Sequence, residues 1–170
     1  RCLSPDRNMA AHPGMSIYLD YQATTPLSPE AMAAMRPWLE DKCANPHSPH
    51  RLGREAAAAV EVARDQVAAL LPKGGRVYFT SGATEALHLA MESAKAMGFG
   101  PVYVSSVEHD AVWSYAVKLW PEAQLIPVNQ GALLDVAWLG QELDNQGGQP
   151  LVIAQGANNE TGATQPLNLI

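Results

Sequence analysis

Positive charge is scarce in this chain and runs out early. Of its 170 residues 11 are Lys or Arg and 17 are Asp or Glu, a formal charge of −6. Residues 1–85 hold nine cations and nine anions, whereas residues 86–170 hold only Lys95 and Lys118 against eight anions. A nucleic-acid binder neutralises phosphates with clustered cations, so this distribution argues against that class. It also leaves chemistry that needs a lysine or arginine from the second half with almost no candidates. Cysteine is as rare. Cys2 and Cys43 are too few for a disulfide framework and are not spaced as a metal knuckle, which fits a reducing compartment. No uninterrupted apolar run nears the roughly 20 residues of a membrane span. No short apolar block with a basic flank precedes a small-residue cleavage site. The expectation is a soluble, cytoplasmic protein without membrane or direct nucleic-acid contacts.

The 47% of apolar residues is enough to build a core, and the length suits one ordinary domain. Residues 1–15, with Pro5, Pro13, Gly14 and internal Met9 and Met15, have no periodicity and are expected to be a flexible tail, partly non-native. Residues 16–75 read as an arm and helices. Ile17 to Tyr21 is a short extended stretch, and Ala23 to Pro26 an arm or turn. Ser28-Pro29-Glu30 combines a capping hydroxyl, a first-turn proline and a first-turn acid, so a helix should start there. It should reach about Asp41, with Pro37 kinking or dividing it. After the loop Asn45 to His50, a second helix is expected over roughly 51–71, and its Val60, Ala63, Val67 and Leu70 predict a buried face.

From Arg76 the pattern changes. Strands are predicted at 76–80, 101–105, 124–128 and 150–155, with helices between them at about 84–97, 109–120 and 136–145. Such alternation specifies an α/β fold, with a mostly parallel sheet, helices on both faces and right-handed crossovers. Sheets of this class bind ligands beyond the carboxyl ends of their strands. Three segments occupy such places, and together they would converge on one crevice.

The first, Thr80-Ser81-Gly82-Ala83-Thr84-Glu85, exposes backbone N–H groups at the positive end of a helix, which suits a phosphate. It lacks the Gly-Lys-Ser/Thr ending of a Walker loop and the glycines of a dinucleotide fingerprint, and a plain capped helix is the competing reading. The second places His109 after a strand and at a helix start, where a neutral imidazole could stack on a flat ligand or move a proton. A solvent-facing His between Glu108 and Asp110 is the alternative. The third, Gln155 to Gly162, brings Asn158 and Asn159 to a strand end, where carboxamides could donate to a ligand oxygen or merely build an Asx turn. Cys43, His47 and His50 supply at most three ligands on a proline-broken loop, so no metal is expected.

The succession Tyr18-Leu19-Asp20-Tyr21-Gln22-Ala23-Thr24-Thr25-Pro26, Asn45-Pro46-His47-Ser48-Pro49-His50 with Gly53, Thr80 to Glu85, Glu108-His109 and Asn158-Asn159-Glu160-Thr161-Gly162 resembles the cysteine desulfurases of the NifS/IscS type. These are class V aminotransferases of the fold-type I architecture. The resemblance runs in order from about residue 17 to the last residue. It implies that Ala83 and Thr84 hold the phosphate of pyridoxal 5′-phosphate, that His109 stacks on its ring and moves protons, and that Asn159 contacts its phenolic oxygen. Ala23 to Thr25 and Asn45 to His50 would lie near the substrate entrance. Ala44, where relatives usually have Gly, is a small departure in that loop.

The family reaction takes sulfur from L-cysteine, leaves L-alanine and forms an enzyme persulfide, which supplies iron–sulfur clusters or tRNA thiolation through a sulfur acceptor or scaffold protein. A homodimer is implied. The resemblance also implies that residues 76–170 are part of the cofactor-binding large domain and that the chain is an N-terminal portion. The family's Schiff-base lysine, its Asp and Gln at the ring, its sulfur-accepting cysteine and its substrate-gripping arginine have no counterpart among these residues. The 170 residues alone are therefore expected to be inactive. Another class V enzyme such as a selenocysteine lyase, or a non-catalytic interaction fragment, are the alternatives.

Overall fold

The computed structural model describes residues 18, 21, 24–72 and 75–169. The expected tail, Cys2, Lys73, Ala23 and most of the stretch from Ile17 to Tyr21 lie outside the described residues. The chain divides into two compact units, Arg1–Val60 and Glu61–Ile170.

In the first unit, helix α1 spans Pro29–Glu40. Ser28 caps it: its hydroxyl accepts the N–H of Ala31 at 3.1 Å. The helix runs through Pro37 undivided and ends where the N–H groups of Asp41 and Lys42 both bond to the Pro37 carbonyl. Helix α2 spans Arg51–Ala68 and crosses the boundary between the units. Its first turn is held by His50, whose Nδ1 accepts the N–H of Gly53 at 3.2 Å.

The expected apolar face of α2 is corrected by the structure. Val60, Ala63, Val67 and Leu70 are exposed, Leu70 to 83%, and Gly53 and Ala56 are the buried residues instead. Periodicity shows that a helix has an apolar face and not that anything covers it. The strand expected at 76–80 is corrected as well. Those residues join no ladder, and Tyr78 and Phe79 are exposed. A strand needs a neighbour to take its backbone groups. Here the Val77 carbonyl accepts from the Arg64 guanidinium, which also lies 5.1 Å from the Phe79 ring.

The rest of the second unit is the predicted α/β fold. Helix α3 spans Ala83–Ala96, strand β1 Val102–Ser105, helix α4 Asp110–Leu119, strand β2 Gln124–Ile126, helix α5 Val136–Asp144 and strand β3 Leu151–Ile153; a short 3-10 turn covers Leu167–Leu169. The sheet order is β2-β1-β3 and both pairings are parallel, with Tyr103 opposite Gln124 and Val152. Strand β1 is buried throughout because it is central and covered on both faces. Side chains alternate along it. Val102 and Val104 pack with Met91, Ala94, Val112, Ala116 and Trp120, a core that draws on α3 and α4. Tyr103 points the other way and packs with Ile126, Leu134 and Leu139 of α5, its ring edge-on to Trp138 at 6.1 Å. Among the described residues, no helix is long and apolar enough to cross a membrane.

Candidate functional site

A parallel sheet aims all its strand ends the same way, so the loops after β1 and β3, which are neighbours, must lie side by side. Between and beside them are two adjoining cavities. One, of about 380 Å³, is lined by Ala83, Thr84, Leu87, Glu108, His109, Ala111, Val112, Ile153, Ala154 and Gln155. The other, of about 420 Å³, includes His109, Gln155, Asn159, Glu160 and Thr161 in its wall. The structure thus brings Ala83 and Thr84 together with His109 in the first cavity, and His109 with Asn159 in the second. Glu108, His109 and Gln155 form the seam between them.

At the start of α3, Gly82 is extended and no side chain caps the first amides of the helix. The Glu85 carboxylate turns back instead to Ser81, accepting from its backbone N–H and its hydroxyl, each at 2.6 Å. Those two bonds, the hydroxyl's first, hold the Glu85 carboxyl below its usual value. The result is an uncapped helix start whose first residues, Ala83 and Thr84, line a cavity, an arrangement that suits a bound anion.

His109 is the N-cap of α4. Its Nδ1 accepts the N–H of Ala111 at 3.1 Å, and its backbone N–H donates to the Glu108 carboxylate at 3.2 Å. An Nδ1 that accepts carries no proton, so the neutral ring holds its proton on Nε2.

The two asparagines part company. Asn158 is buried, and its Oδ1 accepts from Glu160 N–H at 2.9 Å, Thr161 N–H at 2.8 Å and the Thr161 hydroxyl at 3.1 Å. It is the turn builder. Asn159, exposed beside it, is free to present its carboxamide to the cavity. Gln155 was not singled out by motif or spacing, yet it lines both cavities; its place two residues past the end of β3 was the available signal. Among the described residues, no group of three or more His, Cys, Asp or Glu is placed to hold a metal ion, and no Lys, Arg or Cys lines either cavity.

Residues 17–170 match the family model described as aminotransferase class-V. The chain belongs to that family. Within it, the chain is 39% identical over 167 residues to "Cysteine desulfurase IscS" of Rickettsia felis, covering 94% of this chain and 40% of the relative. It is 38% identical to "Cysteine desulfurase, mitosomal" of Trachipleistophora hominis, over 91% of this chain and 37% of that one. Among solved structures, a NifS-like protein from Rickettsia africae superposes with a TM-score of 0.76 at 32% identity, covering 88% of this chain and 42% of its own. This class-V chain therefore spans about two fifths of the length of the relatives it matches. Its parallel sheet and flanking helices are those of the fold-type I architecture.

Proposed function

We propose that this class-V chain carries the cofactor-anchoring part of a pyridoxal 5′-phosphate-dependent cysteine desulfurase. The observation that supports the reading most is the cavity shared by the uncapped amides of Ala83 and Thr84 and the imidazole of His109. The residues fit the group. A dianionic phosphate would take the amides and hydroxyl at the head of α3. His109 would offer its imidazole to the ring, with Nε2 the nitrogen that holds or moves a proton, because Nδ1 is committed to Ala111. Asn159 would donate its carboxamide to the phenolic oxygen. When bound, the pyridine ring supplies an electron sink for the pair released at a substrate Cα.

The substrate of the reading is L-cysteine, and the product sulfur is a persulfide passed to an acceptor or scaffold protein for iron–sulfur clusters or thiolated tRNA, in a homodimer and in the cytoplasm. Since no Lys, Arg or Cys among the described residues lines the cavities, the 170 residues are expected to bind the cofactor's phosphate end without turning L-cysteine over.

Pyridoxine 5′-phosphate, which has no aldehyde and cannot bond to surface lysines, tests the site by titration calorimetry. The reading expects it to bind and pyridoxine, its phosphate-free counterpart, to bind at least about tenfold more weakly, since charge-assisted bonds at the helix start carry the affinity. Equal affinity for the two would overturn it.

A further inference from the structure

We infer that Gln155 and Asn158 are positioning residues for His109, acting as a two-handed clamp on the carbonyl oxygen of Val107; the inference rests on the cavity being a pyridoxal 5′-phosphate site. Gln155 Nε2 donates to that oxygen at 3.0 Å and Asn158 Nδ2 at 2.8 Å. One donor satisfies a carbonyl; two use both of its lone pairs. Both donors come from the segment after β3, and the acceptor lies in the loop after β1, the neighbouring parallel strand. The clamp therefore ties together the two loops that carry Asn159 and His109.

Apart from the clamp, the loop is held to a neighbouring strand by Ser106 N–H, which donates to the Ile126 carbonyl of β2 at 3.1 Å, two residue positions short of the peptide that leads to His109. Val107 N–H reaches Ser105 Oγ at 3.3 Å, and Glu108 N–H reaches the Ser105 carbonyl at 3.1 Å. These last two bonds are local, so among the described residues only the clamp ties the loop from Val107 onward to another strand's end. Val107 precedes His109 by two residues, so a shift of its peptide tilts the cap and swings the imidazole. On the other side, Asn158 is itself immobilised by the three bonds its Oδ1 accepts, which makes it a fixed anchor. Gln155 adds a second hand from the seam of the two cavities: its amide nitrogen bonds to the loop and is thereby taken up in holding it. The clamp sets how His109 sits against whatever occupies the space beside Ala83 and Thr84.

Two substitutions remove one donor each. Gln155→Met keeps length without a donor, and Asn158→Asp keeps the accepting oxygen while losing the amide nitrogen. In the 170-residue chain, the readouts are the ring nitrogen resonances of His109, hydrogen exchange at the Ala111 amide, and calorimetric affinity for pyridoxine 5′-phosphate. Each single variant is expected to weaken affinity and to speed Ala111 exchange about three- to tenfold, the worth of one hydrogen bond. The double variant should lose more than the product of the two, and the Leu139 amide, on the other face of the sheet, should keep its rate. Unchanged His109 resonances and Ala111 exchange in Gln155→Met would overturn the clamp. So would acceleration at Leu139 equal to that at Ala111, which marks a general loss of stability. If Asn158→Asp does not fold, Gln155→Met decides alone. Failure of the unsubstituted chain to bind the probe would instead overturn the cofactor reading, and the exchange rates would still decide the clamp.

Discussion

The Nδ1 atom of His109 accepts the backbone N–H of Ala111 at 3.1 Å, so the ring that faces both cavities is also the cap of α4. Fold and site share one side chain. The two duties separate by substitution. His109→Asn keeps a capping oxygen and should leave stability within about 0.5 kcal/mol, whereas His109→Ala should cost about 1 kcal/mol. Both should lose affinity for pyridoxine 5′-phosphate equally, because neither retains the imidazole. Chemical denaturation beside calorimetry checks the pair; undiminished binding by His109→Asn would remove the ring from the site.

Gly53 is irreplaceable for lack of space. A Cβ there would stand 2.2 Å from the Ser48 carbonyl oxygen and 2.9 Å from that of Asn45, both backbone atoms of the loop that precedes α2. Gly53→Ala should therefore cost about 1–3 kcal/mol, as overpacked sites do. Thermal denaturation should show it, and the amide of His47, held by Asn45 Oδ1 at 2.9 Å, should exchange faster.

Tyr103 carries the opposite expectation. Its ring is wholly buried and its hydroxyl has no hydrogen-bond partner among the described residues. Burial, with Glu142 nearby as the lesser cause, raises its pKa. Since an unpaired buried hydroxyl costs free energy, Tyr103→Phe should stabilise the chain by about 1 kcal/mol. A loss of stability would mean that the hydroxyl is engaged.

The start of α3 should respond to acid. Ser81 lowers the Glu85 pKa in the folded chain, so the ionised carboxylate contributes stability that is present above the usual carboxylate range and is lost as pH falls through the folded value. Exchange at the Ser81 amide, corrected for its intrinsic pH dependence, should quicken on that descent. Glu85→Gln should flatten the profile; a flat profile in the unsubstituted chain would count against the Ser81 bonds.

Much of this was legible in the residues. Ser28, Pro29 and Glu30 specified the start of α1, and the alternation after Arg76 specified a parallel sheet with helices on both faces, because local capping and two-sided burial leave direct marks on sequence. What failed was what depends on a neighbour. Residues 76–80 hold a short apolar run as a buried strand does, but a ladder partner is not a property of the segment itself. Val60, Ala63 and Val67 make an apolar stripe on α2, and a stripe does not say what lies over it. At the site, the end-of-strand rule found His109 and the asparagine pair. It could not say that Asn158 would be consumed by its own turn while Asn159 was left to the cavity, nor that Gln155 would sit at the seam. Asn158 is fixed by the bonds of its own turn, and the Val107 carbonyl, about fifty residues away in sequence, takes up the amide nitrogens of both Asn158 and Gln155.

The central claim is that a phosphate-bearing ring ligand sits between the head of α3 and His109. Mapping pyridoxine 5′-phosphate onto the chain by amide and imidazole NMR shifts tests it most directly. The account predicts that the largest changes fall on the amides of Gly82, Ala83 and Thr84, on the His109 ring and on the Asn159 side chain, all saturating together. Shifts confined to other surfaces, or changes at Ala83 and Thr84 that leave His109 untouched, would contradict it.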